Sequence, residues 1–243
     1  MIFGCWNIAW QRPNSRRGAR MIATLLAHDP ELVCIAEGHL DTFGSDWHGI
    51  ASAPDYGYPI KPGQRKVALW SRMPWEDVDE LGAPGMPPGR FVSGQTLTSI
   101  GPIRVIGICV PWFAAHVNGG RRDAENWAEH DAFLKGLRAA LDGIGEDIPA
   151  LLVGDLNQRI PRKGAPIASY DLLMTALGGR FDVWTAGSIS GLGQQVVCHI
   201  AGTSDLECTE VIGLPRDANG TTLSDHDGFI VRSWRSDVRS LRL

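Results

Sequence analysis

An aspartate and an asparagine stand two residues apart in Gly154-Asp155-Leu156-Asn157, directly after the apolar run Pro149-Ala150-Leu151-Leu152-Val153. On a strand, side chains at i and i+2 point the same way, so both polar groups are expected to face one site at the strand's C-terminal edge. A carboxylate there suits a hard cation such as Mg²⁺, and a neutral amide can hydrogen-bond a phosphate oxygen or a water without adding repulsive charge. The same tetrapeptide also fits an ordinary Asx-turn. Three other run ends carry polar residues that core packing does not demand. Asn7 follows Phe3-Gly4-Cys5-Trp6, Glu37 follows Leu32-Val33-Cys34-Ile35-Ala36, and Ser224-Asp225-His226 precedes Gly228-Phe229-Ile230-Val231. Each has a plainer reading as a cap, loop or turn residue.

Nine apolar runs rich in β-formers are available to position these groups, at 2–8, 31–36, 66–71, 91–99, 103–110, 149–154, 181–185, 195–201 and 227–234. Helical periodicity predicts helices over 16–28, 123–142 and 168–177. The order is β-α-β, then consecutive strands, then α-β-α, then strands again, which suits layered α/β packing rather than an alternating barrel. The stretch 82–89, rich in Gly and Pro, reads as a surface loop between two strands. No repeat or polar linker divides the chain, so one domain over 1–243 is expected.

With 44% hydrophobic and 21% charged residues, the composition is that of a soluble globular protein. No apolar run reaches the roughly 20 residues of a membrane span. The N-terminus lacks a basic region and an unbroken apolar core, so no signal peptide is expected. The five cysteines show no CxxC spacing, and reduced thiols in a cytoplasmic protein are the expectation. A net charge of −4 weighs against a protein that coats nucleic acid non-specifically, though a local basic groove stays open.

Taken together and in order, these residues resemble the endonuclease/exonuclease/phosphatase superfamily, also called the DNase I-like fold. The similarity runs from Trp6-Asn7 to Ser224-Asp225-His226 and includes Val67-Ala68-Leu69-Trp70-Ser71-Arg72-Met73-Pro74, which looks like the family's internal strand ending in Ser-Arg-x-Pro. The resemblance implies an α/β fold, a four-layered sandwich of two mixed β-sheets packed face to face with helices outside. It also implies a metal-dependent phosphoester hydrolase using Mg²⁺, with Mn²⁺ as an alternative. Glu37 would be the principal metal ligand, with Asn7 and Asp225 close enough to bind the metal directly or through water. Asp155 and Asn157 would hold the nucleophile and the phosphate, and His226 would bond the phosphate or help activate water. A phosphoester, with nucleic acid among the candidates, is the implied substrate, and no protein partner is inferable. A nuclease leads over a small-molecule or lipid-headgroup phosphatase, and over a binding protein that has kept the fold and lost turnover.

Two departures stand out. Cys198 occupies the place of the family's late-strand Asp, which orients the final histidine, and Asp205 or Glu207 is a conceivable substitute. Cys109-Val110-Pro111-Trp112 stands where relatives present a His or Tyr to the phosphate, leaving His116 as the nearest replacement. Arg121 and Arg122 are candidate phosphate grips, and Arg12, Arg16, Arg17 and Arg20 form the densest basic cluster. All of these arginines have the plainer reading of solvated surface groups. Trp10, Trp112 and Trp184 either stack on a base or sugar, as Trp112 would in a substrate-binding role, or simply pack. Cys198, inside an apolar strand, is expected to be an inert core thiol rather than a nucleophile.

Overall fold

The computed structural model describes residues 1–218 and 220–236. The chain runs through β1 (Ile2–Asn7), α1 (Arg16–Leu26), β2 (Leu32–His39), β3 (His48–Ala51), β4 (Gln64–Ser71), β5 (Trp75–Asp79), β6 (Phe91–Thr98) and β7 (Gly101–Cys109). It continues through α2 (Ala128–Asp142), β8 (Ala150–Asp155), α3 (Ile167–Leu177), β9 (Phe181–Val183), β10 (Cys198–Thr203), β11 (Leu206–Leu214), β12 (Asp217–Ala218), β13 (Thr221–Thr222) and β14 (Gly228–Arg235). Two mixed six-stranded sheets form, in the orders β11-β14-β1-β2-β4-β3 and β5-β6-β7-β8-β10-β9.

Strand alternation explains the layering. In β1, Phe3 and Cys5 point between the sheets, where they meet Val105, Leu151 and Val153, while Trp6 turns outward against Met21 and Leu25 of α1. In β8, Leu151 and Val153 face the other sheet, and Ala150 and Leu152 face Phe133, Leu137 and Leu173 of α2 and α3. The protein is therefore a four-layered α/β sandwich, with helices on both outer faces. Burying each large apolar side chain contributes about 1.5–3 kcal/mol, so each strand is held through both of its faces.

Differences from the sequence expectations lie mainly at sheet edges. The strands β3, β5 and β11 went unpredicted; each is the outermost strand of its sheet. Trp75-Glu76-Asp77-Val78-Asp79 is largely exposed, and an edge strand with a solvated face needs no apolar run and gains from charge. The helix expected over 123–142 begins only at Ala128. Trp127 before it adopts a left-handed backbone at φ 71, which an L-residue cannot continue into a right-handed helix. The stretch 82–89 is a loop between β5 and β6, with Met86 buried against α2.

Candidate active site

At one end of the sandwich the interior between the sheets opens into a cleft of about 850 Å³. Asp155 closes β8 at the base of this cleft. It shares the parity of Leu151 and Val153, so its carboxylate points between the sheets and is almost fully buried. Gly154 makes this possible. Its φ of 135° is reserved for glycine, and a Cβ there would stand 1.9 Å from the Ile108 carbonyl oxygen.

Asn157 reaches the same cleft by a route other than strand alternation. The strand ends at Asp155, and Asn157 takes a left-handed backbone at φ 52. Its N–H donates to Asp155 Oδ1 at 3.0 Å, an Asx-turn, and its side-chain Nδ2 donates to the Val110 carbonyl at 2.8 Å. The motif therefore forms the Asx-turn, and both of its polar residues line the cleft. Asn7 lies across the gap between the sheets, and its Nδ2 donates to Asp155 Oδ2 at 2.9 Å. Its own Oδ1 accepts the Ala9 N–H.

Glu37 enters through a break in alternation. Regular pleating would place it with Val33 and Ile35 on the α1 face, but its backbone is left-handed at φ 49, and the side chain lines the cleft. The register that pairs Ala36 with Val67 and Gly38 with Arg65 sets Lys66 opposite it. Lys66 Nζ donates to Glu37 Oε1 at 2.5 Å and also lies 5.1 and 5.4 Å from the ring centres of Trp10 and Tyr56. Nothing in the apolar pattern of β4 pointed to this lysine; its position opposite Glu37 is a property of strand pairing.

His226 comes from the loop before β14. That loop is tied to β1 by Ser224 Oγ donating to the Asn7 carbonyl at 2.7 Å and Trp6 Nε1 donating to the His226 carbonyl at 2.9 Å. Its Nε2 lies 3.8 Å from Asp155 Oδ2 and 3.7 Å from Asp225 Oδ1. Its Nδ1 faces Cys198 Sγ at 3.4 Å. Cys198 is thus the side chain that faces Nδ1 of His226. Glu207 instead accepts from Trp234 Nε1, and Asp205 follows the opposite end of β10. Burial pushes the Cys198 thiol well above its ordinary pKa, so it is held as a neutral thiol, unsuited to attack as a nucleophile. Burial likewise raises the Asp155 carboxyl; His226 opposes the rise and Glu37 adds to it.

The remaining expected residues are placed differently from one another. Trp10, Trp112 and Asp225 line the cleft; His116, Arg121, Arg122 and Trp184 do not. His116 is buried, stacks on Tyr58 at 4.5 Å, and accepts the Arg121 N–H through Nδ1. It pins its own loop, and burial followed by Arg121 lowers its pKa. The Arg121 guanidinium pairs with Asp123 at 3.1 Å and with Glu129. Arg12, Arg16 and Arg17 are exposed, and Arg20 donates to the Ala218 carbonyl. Trp184 packs over Gly202.

Three residues beneath the site had no signal in the sequence. His130 Nδ1 bonds the Pro111 carbonyl at 2.7 Å, and its Nε2 accepts from Gln158 Nε2 at 2.8 Å, locking the segment after β7 to the segment after β8. His199 bonds Thr185 Oγ1 and the Gln158 carbonyl, both at 3.0 Å. Lone histidines in apolar surroundings could not be assigned partners until the fold supplied them.

The sequence model of the Endonuclease/Exonuclease/phosphatase family matches residues 4–226. Among curated proteins no sequence matches. Similar solved structures include an AP endonuclease from Archaeoglobus fulgidus, 17% identical with a TM-score of 0.68, the match covering 96% of this chain and 98% of that one. A 3′-5′ exonuclease from Neisseria meningitidis is 18% identical with a TM-score of 0.67, covering 96% and 99%. The catalytic domain of human Nocturnin, with a bound sulfate anion, is 16% identical with a TM-score of 0.69, covering 97% and 93%.

Proposed function

This chain belongs to the endonuclease/exonuclease/phosphatase family, and on that basis we propose that it is a metal-dependent hydrolase that cleaves a phosphodiester with an activated water. The observation that carries the reading is the convergence on one cleft of a buried carboxylate, Asp155, with Asn7, Asn157 and His226, opposite the second carboxylate Glu37. Two carboxylates on one cleft, Glu37 raising the cost of ionising the buried Asp155, form with an exposed third at Asp225 an oxygen donor set suited to a hard divalent cation. Glu37 would hold Mg²⁺ or Mn²⁺, with Asn7 and Asp225 completing the protein's share. The bound ion would neutralise charge on the phosphoryl oxygens.

The chain's own groups divide the remaining work. Each Asp155 oxygen already accepts one hydrogen bond, which fixes its orientation, and each retains a lone pair. Its raised pKa makes it a stronger base than an ordinary carboxylate, suited to taking a proton from water in the cleft. Phosphorus gains the water oxygen, the bond to the leaving oxygen breaks, and the products are a phosphomonoester and an alcohol. His226, facing Asp155 through Nε2, would bond a phosphoryl oxygen or return the proton to the leaving oxygen. Asn157, with one amide proton held by Val110, offers its second amide proton to the phosphate. The endonuclease and exonuclease among the similar structures support a nucleotide diester as the substrate type.

Purified protein incubated with bis(p-nitrophenyl) phosphate should release p-nitrophenol on addition of Mg²⁺ or Mn²⁺. Asp155→Asn should lower the rate by about 100-fold or more, and Glu37→Gln should remove the metal response. A rate equal in wild type and both variants would sink the proposal.

A further inference from the structure

Arg90 opens β6's lead-in at the floor of the cleft. It is 3% exposed, and among the described residues its one side-chain hydrogen bond is from Nη1 to the Cys109 carbonyl at 3.3 Å. Among the described residues no carboxylate lies within 4.0 Å of it. A buried guanidinium left without a counter-charge is costly, and its fork geometry matches phosphate. The wall of the same cleft is aromatic. Trp10 and Tyr56 run near parallel at 5.9 Å, Tyr56 and Tyr58 follow at 5.8 Å, and Trp112 is 48% exposed at the rim. A large exposed aromatic in the same cleft as a buried cation without a counter-charge is the combination that a ligand with a flat ring and a phosphate would satisfy.

Building on the hydrolase reading, we propose that the diester the cleft takes is that of a small, free nucleotide derivative, its base against the aromatic wall and Trp112 and a phosphate on Arg90, rather than that of a nucleic-acid chain. The cleft's volume suits a small ligand. Tracking a polymer requires a row of cations beyond the cleft to meet successive phosphates. The cleft lining has three cations, Lys61, Lys66 and Arg90, of which Lys66 is paired and Arg90 is buried. Arg121, on the neighbouring loop, is neutralised by Asp123 and Glu129. The exposed arginines of α1 and its lead-in do not line the cleft, and in the adjoining pocket at Asp225 and His226 Arg216 pairs with Asp217 and Arg159 donates to the Gln195 carbonyl.

The test is a fluorescence titration of the full chain in EDTA, so that it reads binding and not turnover, with adenosine 5′-monophosphate, ribose 5-phosphate and adenosine as probes. The monophosphate should bind at least about tenfold more tightly than ribose 5-phosphate, the ratio expected for one stacked base. Trp112→Ala, at an exposed position with little bearing on folding, should weaken the nucleotide and leave ribose 5-phosphate unchanged. Arg90→Gln should weaken both phosphates and spare adenosine. Equal affinity for the monophosphate and ribose 5-phosphate would overturn the stacking subsite. A single-stranded oligonucleotide of about 20 residues that binds more tightly than the monophosphate, with an affinity falling steeply with salt, would overturn the free-nucleotide assignment. Either result leaves the diester assay above to stand or fall by itself.

Discussion

Cys198 Sγ lies 3.4 Å from Nδ1 of His226, with Asp155 Oδ2 at 3.8 Å from the other ring nitrogen. A carboxylate beside Nδ1 would fix the tautomer and favour the protonated ring, whereas a neutral thiol is a weak hydrogen-bond partner. Cys198→Asp should therefore raise kcat toward the diester by about tenfold and move the basic limb of the rate profile to higher pH. Thermal unfolding of the same variant checks that the new carboxylate is accommodated. A folded variant with an unchanged rate and profile would mean that His226 is oriented by another group.

Gly154 holds a φ of 135° against the Ile108 carbonyl. Gly154→Ala should destabilise the protein by at least about 3 kcal/mol, because strain and a clash with backbone both apply. Urea unfolding measures the loss, and a cost below about 1 kcal/mol would contradict the close approach described here.

Lys66 and Glu37 form a cross-strand ion pair at the cleft. An ammonium beside the proposed ligand repels a second cation. Lys66→Met should tighten Mg²⁺ binding by about tenfold in a calorimetric titration, and Glu37→Gln should abolish it. Weaker binding in Lys66→Met would show that the lysine positions Glu37 for the metal rather than competing with it.

His199 is buried, and burial lowers its pKa from 6.5 to about 4. Between those values the unfolded chain binds a proton that the folded chain does not, so stability falls as pH drops from about 6.5 to 4 and is unaffected by this group above that window. The loss amounts to about 3 kcal/mol. Urea midpoints measured across the window should decline in the wild type and decline less in His199→Gln. Parallel declines in the two proteins would exclude His199 as the source.

Much of this protein is legible in its sequence, because strand cores and chemistry-bearing ends are local properties. The apolar runs at 2–8, 31–36, 66–71, 103–110 and 149–154 correspond to the central strands, each packed on both faces and so compelled to be apolar. The edge strands β3, β5 and β11 escape because one face or side meets water and leaves no pattern.

At the cleft the division is between residue type and partner. Residue type alone selected Asn7, Glu37, Asp155, Asn157 and His226 as polar groups at run ends. Their geometry came from elsewhere: left-handed backbone at Glu37 and Asn157, an Asx-turn in place of strand alternation, and register across paired strands. Lys66 opposite Glu37, Arg90 without a counter-charge, and Cys198 against His226 are relationships between residues from 28 to 29 positions apart, or, for Arg90, with an entire cleft. Local sequence determines what a side chain can do. Only the packing of two sheets decides which groups are desolvated together, and desolvation sets the charge, basicity and ligand that each of them carries.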